Sequence, residues 1–382
     1  MIRKLVSILV CVAFLAILVC GVAAAAPSEI RIGVVAPITG QSAIAGQYIR
    51  NGVNLAVMEF AKGNSLTVGG KKYPVKVLFE DNENKPDITA NAFRKLIDQD
   101  GVVAIVGPDT SSCALAGAPI AQGAQVPLVT TFATNPKVTQ VGDYIFRACY
   151  IDPFQGKVMA KYAFENLKAR KAAILYNNGN DFSKGLTEFF TKSFEGAGGK
   201  IVAVEAYGGS DIRDFNAQLN KIKASGADVL FLPNTFFETG LQMNQARKAG
   251  IKMPFIGGDG WDSPDLPKIA AGAEEGAAFS AAFSHEAKDA AVQSFVGQYR
   301  KQFKTVPNSN AVLAYEAMAL VLKGLQAAGK IDGPALREAI AKSNVPLPSG
   351  TVKFDGDRNP QKAAVIMMYK GSATKYVTTI KP

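Results

Sequence analysis

The chain is an α/β protein by its sequence: two doubly wound parallel-sheet lobes joined by a multi-crossing hinge. Three observations predict it. Short apolar runs alternate with stretches whose apolar residues fall at helical spacing, the rhythm of a parallel sheet with helices on both faces. That rhythm restarts near residue 150. The final hundred residues then supply helices first and strands second. That is too little for a third domain, so the helices are assigned to the first half and the strands to the second.

Residues 1–25 come first and stand apart. Arg3 and Lys4 precede an apolar run from Leu5 to Val19 and a small-residue end, Ala23 to Ala26. This is the layout of a secretory signal peptide, with cleavage after Ala25. No basic stop-transfer cluster follows, which weighs against a membrane anchor. A lipoprotein site at Cys20 is disfavoured because Ile17-Leu18-Val19 lacks the small residue usual before a modified cysteine.

In the first half, "EIRIGVVAPI" is a strand. "AGQYIRNGVNLAVMEFAKG" places Ile49, Val53, Ala56, Val57 and Phe60 on one helical face, with Gly63 as its stop. "YPVKVLFEDN" is a strand, "KPDITANAFRKLIDQDG" a helix, "VVAIVGP" a strand, "CALAGAPIAQGAQ" a helix and "VPLVTT" a strand. The second half opens at "IDPFQGKVMAKYAFENLKA", where Asp152 as N-cap and Pro153 in the first turn predict a helix start. Strands at "KAAILYNN", "KIVAVEAY", "ADVLFLP" and "MPFIGGDG" alternate with helices after it. In the tail, "AAVQSFVGQYRKQF" and "SNAVLAYEAMALVLKGLQAAG" are helices, while "GTVKFDGDRNP" and "AAVIMMYKGSATKYVTTI" read as strands with turns. The lobes are therefore drawn as 27–147 with 281–347, and 148–280 with 348–382, with the chain crossing between them several times.

Composition narrows the function. The 382 residues carry a formal net charge of +10, but no Lys/Arg run exceeds a pair, so a soluble basic surface is preferred to nucleic-acid binding. Beyond the leader the cysteines are Cys113 and Cys149 alone. Their spacing matches no metal motif, and they are read as buried free thiols, although an oxidising compartment would let them pair.

Open parallel sheets bind ligands beyond the carboxyl ends of their strands. First-half loops there, "GPDTSSCA" and "TFATNP", offer hydroxyls and a helix start. Ser111 and Ser112 begin that helix, whose free N–H groups suit a carboxylate, and Thr134 adds a hydroxyl. Helix capping is the plainer role for Ser112 or Thr134. Second-half loops offer aromatics and acids: Phe182, Phe236, Phe237 and Trp261, with Asp181, Glu238, Asp259 and Asp262. Asp259, between glycines after a buried strand, suits an ammonium group or caps its own turn. The aromatics suit an apolar wall or plain core. A hydroxyl site facing a carboxylate fits a neutral amino acid.

Several segments, in this order and spacing, carry a resemblance: "IRIGVVAPITGQSAIAGQ", "IVGPDTSSCALAGAPIA", "VPLVTTFATNPKVTQ", "YIFRACYIDPFQG" and "ADVLFLPNTFFETGLQMNQARKAG". The chain resembles the periplasmic substrate-binding proteins of branched-chain amino-acid ABC transporters over nearly its whole mature length. The resemblance implies the type I periplasmic binding protein fold. It also implies an exported periplasmic protein that binds a small neutral amino acid (leucine, isoleucine or valine) and delivers it to an inner-membrane ABC permease. It implies that Ser111 and Thr134, with Ser112 adjacent, hold the ligand carboxylate, and that Asp259 and the main-chain carbonyl of Phe132 hold the ammonium. Where the family often has tyrosines, this chain has Phe182 and, in the later loop, Thr235 and Phe236, which bears on the ligand. Amides, urea and aromatic acids are the alternative ligands. A monomer without cofactor or metal is expected.

An enzyme and a ligand sensor are the alternative readings. An enzyme built on a Ser-His-Asp triad or a His-based metal site would need the lone His285 at the cleft, and "AFSHEAKD" lies away from it. No GxxxxGK[ST] or GxGxxG follows a strand, and nothing marks a carboxylate pair for glycoside chemistry. A ligand sensor for a receptor shares every cleft feature with a transport protein.

Overall fold

A computed structural model describes residues 27–209 and 211–382. The signal peptide read at residues 1–25, and Cys20 within it, lie outside the described residues.

The first sheet holds β1 (Ile30–Ala36), β2 (Ser65–Val68), β3 (Lys71–Asp81), β4 (Ala104–Val106), β5 (Leu128–Thr130) and β6 (Ile145–Arg147), in the order β2-β3-β1-β4-β5-β6. All its pairings are parallel except the β2–β3 hairpin. The second sheet holds β7 (Lys171–Asn177), β8 (Lys200–Tyr207), β9 (Val229–Leu232), β10 (Phe255–Gly257) and β11 (Ala278–Ala281). β12 (Asn344–Leu347) and β13 (Gly350–Lys353) form a separate hairpin, and β14 (Ala364–Lys370) and β15 (Ala373–Ile380) return to the second sheet. Its order is β15-β14-β11-β10-β9-β7-β8, with β14 and β15 antiparallel at one edge.

The apolar strands are buried as a sheet covered on both faces requires. In β1 only Arg31 is exposed, and β9 and β11 are buried throughout. Helix Ser309–Ala328 is long and apolar enough to pass for a membrane span, yet it is a core helix of the first lobe. It packs on helix Ala43–Phe60, where Gly52 lets the backbones touch: a Cβ there would overlap the Ala311 carbonyl. Asn308 caps this helix by accepting from Ala311 N at 3.2 Å, and Gly329 ends it in the left-handed region at φ 64°.

Two local expectations change, and one strand joins those expected. Residues 65–68 are a strand, because the Gly69-Gly70 turn, with φ of 57° and 79°, folds them back on β3. Residues 350–353 pair with β12 and not with the second sheet. Asp152 is the first residue of helix Asp152–Lys161 and not its cap, and its side chain is buried.

The chain passes between the sheets after β6, after β11 and before β14. In the last passage Lys362 forms an ion pair with Glu316 of helix Ser309–Ala328, the two side chains only 1% and 0% exposed. Ser349 completes the cluster: it accepts from Lys362 Nζ at 2.8 Å and donates from Oγ and N to the Glu316 carboxylate at 2.8 and 2.6 Å. Cys113 and Cys149 are both free and buried.

Candidate functional site

The carboxyl ends of the two sheets face each other, and the loops after β4, β5 and β10 build the space between them. After β4 the chain enters helix Ser111–Gly123. Its N-cap Thr110 makes no capping bond, since Thr110 Oγ1 donates to Asn84 Oδ1 at 2.6 Å. The first turn therefore keeps its partial positive charge without a side-chain acceptor on it. Ser111 is buried, and its Oγ accepts from Asn135 N at 3.2 Å.

Thr134, in the loop after β5, is fully buried, and its Oγ1 has no hydrogen-bond partner. It caps nothing. The loop is held from behind by Arg147, itself fully buried, which donates to the carbonyls of Ala133 at 2.5 Å and Asn135 at 2.9 Å and to Thr139 Oγ1 at 3.2 Å. Phe132 is half-buried against the larger core cluster.

On the opposite side, Asp259 opens a short 3-10 turn after β10 and is 1% exposed. Its backbone N donates to Gln155 Oε1 at 2.9 Å, while both carboxylate oxygens lack a partner. Burial drives its carboxyl well above the usual range, and the nearby Asp152 adds to the shift. A buried carboxylate without a partner is costly, and a cation is the natural complement. Gln155 ties this floor together: it donates to Asp152 Oδ1 at 3.0 Å and accepts from Ser280 Oγ at 2.8 Å. Asp152 N donates to the Thr134 carbonyl at 3.0 Å, and burial raises its carboxyl to about 6.

The other sequence-marked residues take different places. Ser112 bonds across the cleft to Asp181. Phe182 is nearly buried, its ring against Gly260. Thr235 Oγ1 donates to Glu238 Oε2 at 3.2 Å, and Phe236 packs in the second-lobe core. Trp261 is fully buried there, lying on Gly257 so closely that no Cβ would fit, with Nε1 donating to the Leu232 carbonyl at 3.0 Å. Asp262 accepts from Ser309 N at 2.8 Å at the start of helix Ser309–Ala328. At the mouth, a cavity of about 380 Å³ runs between Ser42, Asn84 and Thr110 on one side and Asn180, Phe237 and Glu238 on the other. His285 lines a separate groove with Tyr48 and Glu286.

Sequence reasoning did not mark Arg147, Tyr150 or Gln155, which surround Thr134 and Asp259, and it marked Asp152 only as a cap. Polar residues do cluster in "FRACYIDPFQG", but no local pattern shows that they gather between the two sheets. Among the described residues, no group of three or more His, Cys, Asp or Glu side chains could hold a metal ion.

A profile described as "Periplasmic binding protein" matches residues 29–374. A curated relative, Leu/Ile/Val-binding protein homolog 3 of Brucella melitensis biotype 1, is 30% identical, over 85% of this chain and 85% of its own. Among solved structures, the leucine-binding protein LivK of Thermotoga maritima superposes with a TM-score of 0.87 at 31% identity, covering 92% of this chain and 99% of that one. The branched-chain amino acid transporter substrate-binding protein LivJ of Streptococcus pneumoniae, solved in complex with isoleucine, gives 0.85 at 30% identity, covering 93% and 100%.

Proposed function

The chain belongs to the periplasmic binding protein family, and on that premise we propose that it captures a neutral branched-chain amino acid between its lobes and delivers it to an ABC permease. The observation that carries this reading is a pair of unmet needs on opposite walls. Thr134 presents a buried hydroxyl without a partner, and Asp259 a buried carboxylate without one. A zwitterion answers both, and a simple carboxylic acid answers only the first.

In this reading Ser111, Thr134 and the start of helix Ser111–Gly123 receive the carboxylate. Asp259 and the Phe132 carbonyl receive the ammonium. Phe182, Phe236 and the methyl of Thr235 face the aliphatic side chain, and Trp261 supports the floor beneath Gly257. The two lobes act as the jaws, and ligand favours the closed form through contacts available only there. Residues 1–25 direct the chain to the periplasm, where it works as a monomer without cofactor and binds without catalysis. The names of the relatives support the branched-chain assignment.

Calorimetry on protein stripped of ligand by unfolding and refolding tests it, comparing L-leucine, 4-methyl-2-oxopentanoate and benzoate. Binding of leucine alone is the expected result. Binding of the keto acid or benzoate in its place would remove Asp259 from the ammonium role and move the assignment to carboxylic acids.

A further inference from the structure

Tyr150 is a buried residue at a passage between the lobes that the reading above leaves unused. It follows β6 at the first passage between lobes, where Ala148 N still donates to the Thr130 carbonyl of β5 at 2.9 Å. Its side chain is 2% exposed, and its hydroxyl makes no hydrogen bond of regular geometry, although the Ser280 hydroxyl stands close to it. Phe154 holds the ring edge-on, with centroids 6.1 Å apart and planes at 77°.

The hydroxyl reaches the second lobe's strand ends. In the parallel register of β10 and β11, Gly257 stands opposite Phe279, so Ser280 lies beside the Gly258-Asp259 step. Asp259, Ser280 and Asp152 all act on the Tyr150 phenol, whose pKa burial drives upward. Ser280 and the Asp259 backbone share Gln155 Oε1 as acceptor, so the phenol stands over a floor whose donors are already used.

We propose that Tyr150 is the third acceptor for the ligand's ammonium group and thereby selects for primary amines. This rests on the amino-acid reading. A buried ammonium has three N–H donors. The Asp259 carboxylate and the Phe132 carbonyl take two. Phe182 and Phe236, the rings on the other wall, bring no polar atom. The Tyr150 oxygen accepts the third N–H while its own proton turns to Asp259.

The test is Tyr150→Phe, which deletes one buried oxygen that makes no regular hydrogen bond in the empty protein, so the unliganded unfolding midpoint should stay close to that of the parent. Calorimetry follows L-leucine and (S)-2-hydroxy-4-methylpentanoate, which has no ammonium, on both proteins. Leucine affinity is expected to fall about tenfold or more in the variant, with the hydroxy acid less affected. Leucine binding within twofold of the parent, or an equal loss for both ligands, overturns the role of Tyr150 while leaving the amino-acid assignment intact. Failure of the parent protein to bind leucine sinks the assignment and the proposal together. A leucine complex offers an independent check. Tyr150 Oη within hydrogen-bond distance of the ligand nitrogen supports the proposal, and a phenol turned away from it overturns it.

Discussion

Ser112 and Asp181 exchange two hydrogen bonds across the cleft. Ser112 Oγ donates to Asp181 Oδ2 at 2.9 Å and accepts from Asp181 N at 3.0 Å. Asn135 Nδ2 adds a third link, to the Asp181 carbonyl at 2.8 Å. The hydroxyl that the sequence offered to a ligand is thus engaged in joining the start of helix Ser111–Gly123 to the start of helix Asp181–Gly196.

Ser112→Ala is expected to loosen closure without touching the ligand's own partners. Each lost bond is worth about 1 kcal/mol, so ligand affinity should drop by about five- to thirtyfold. Small-angle scattering should show a larger radius of gyration for the unliganded variant than for the parent. An unchanged radius and unchanged affinity would remove the latch from the mechanism.

Asp259→Asn tests the ammonium partner. Exchanging a buried charge partner for a neutral amide should cost leucine binding at least a hundredfold by calorimetry. The free protein should not suffer, since the carboxylate it loses is buried with neither oxygen hydrogen-bonded. Its urea midpoint is expected to equal or exceed that of the parent.

Thr134→Val keeps the shape and deletes the hydroxyl. In the empty protein that hydroxyl makes no regular hydrogen bond and only stands beside the Asp152 carboxyl, so stability should hold within about 1 kcal/mol. Affinity for any carboxylate ligand should fall about tenfold, in leucine and keto acid alike. A loss confined to leucine would place Thr134 elsewhere in the site.

The buried acids set a pH dependence with a definite sign. Burial raises the folded-state pKa of Asp152 to about 6 and lifts that of Asp259 well above its ordinary value. Between the unfolded value near 4 and these folded values, the folded chain holds protons that the unfolded chain has released. These groups therefore stabilise the empty protein at low pH, and the contribution is lost as pH rises through their folded pKa values. For Asp152 the loss is on the order of 3 kcal/mol by pH 7. Urea titrations of ligand-free protein at pH 5 and pH 7.5 should show this difference. Leucine works in the opposite direction, because its ammonium needs Asp259 ionised. Binding should weaken as pH falls and should release protons, read as a binding enthalpy that shifts with the ionisation enthalpy of the buffer.

Lys362 and Glu316 provide a stability test remote from the ligand. Lys362→Met leaves the Glu316 charge buried and should cost about 3–5 kcal/mol in urea unfolding. Adding Glu316→Leu should recover much of that loss, giving a large coupling energy in the double-mutant cycle. Simple additivity would show that the pair is not coupled.

The alternating architecture was legible because its strands are apolar on both faces and its helices keep a 3.6 period, as in β1 and helix Ala43–Phe60. Residues 65–68 escaped because a four-residue strand has too few side chains to establish a period, and only the Gly69-Gly70 turn hinted at the hairpin. Among the residues proposed for the site, Ser111, Thr134 and Asp259 stood out in the sequence as polar residues at strand ends, where capping was the competing role. Tyr150 and Gln155 did not. Each joins the proposed site only when the second sheet is brought opposite the first, and no local pattern encodes that approach. Asp152 illustrates the same limit: its place before Pro153 reads as a cap, while the Thr134 carbonyl and Gln155 draw it into the floor.

Because the chain returns to each sheet's lobe after leaving it, neither lobe corresponds to a continuous stretch of polypeptide. The first needs helix Ser309–Ala328 against helix Ala43–Phe60, and the second needs β14 and β15 beside β11. During synthesis, then, no early half can reach its finished core while the remainder is still being made. Both lobes wait for the last fifth of the chain, and a truncation anywhere before it leaves two incomplete cores in place of one intact jaw.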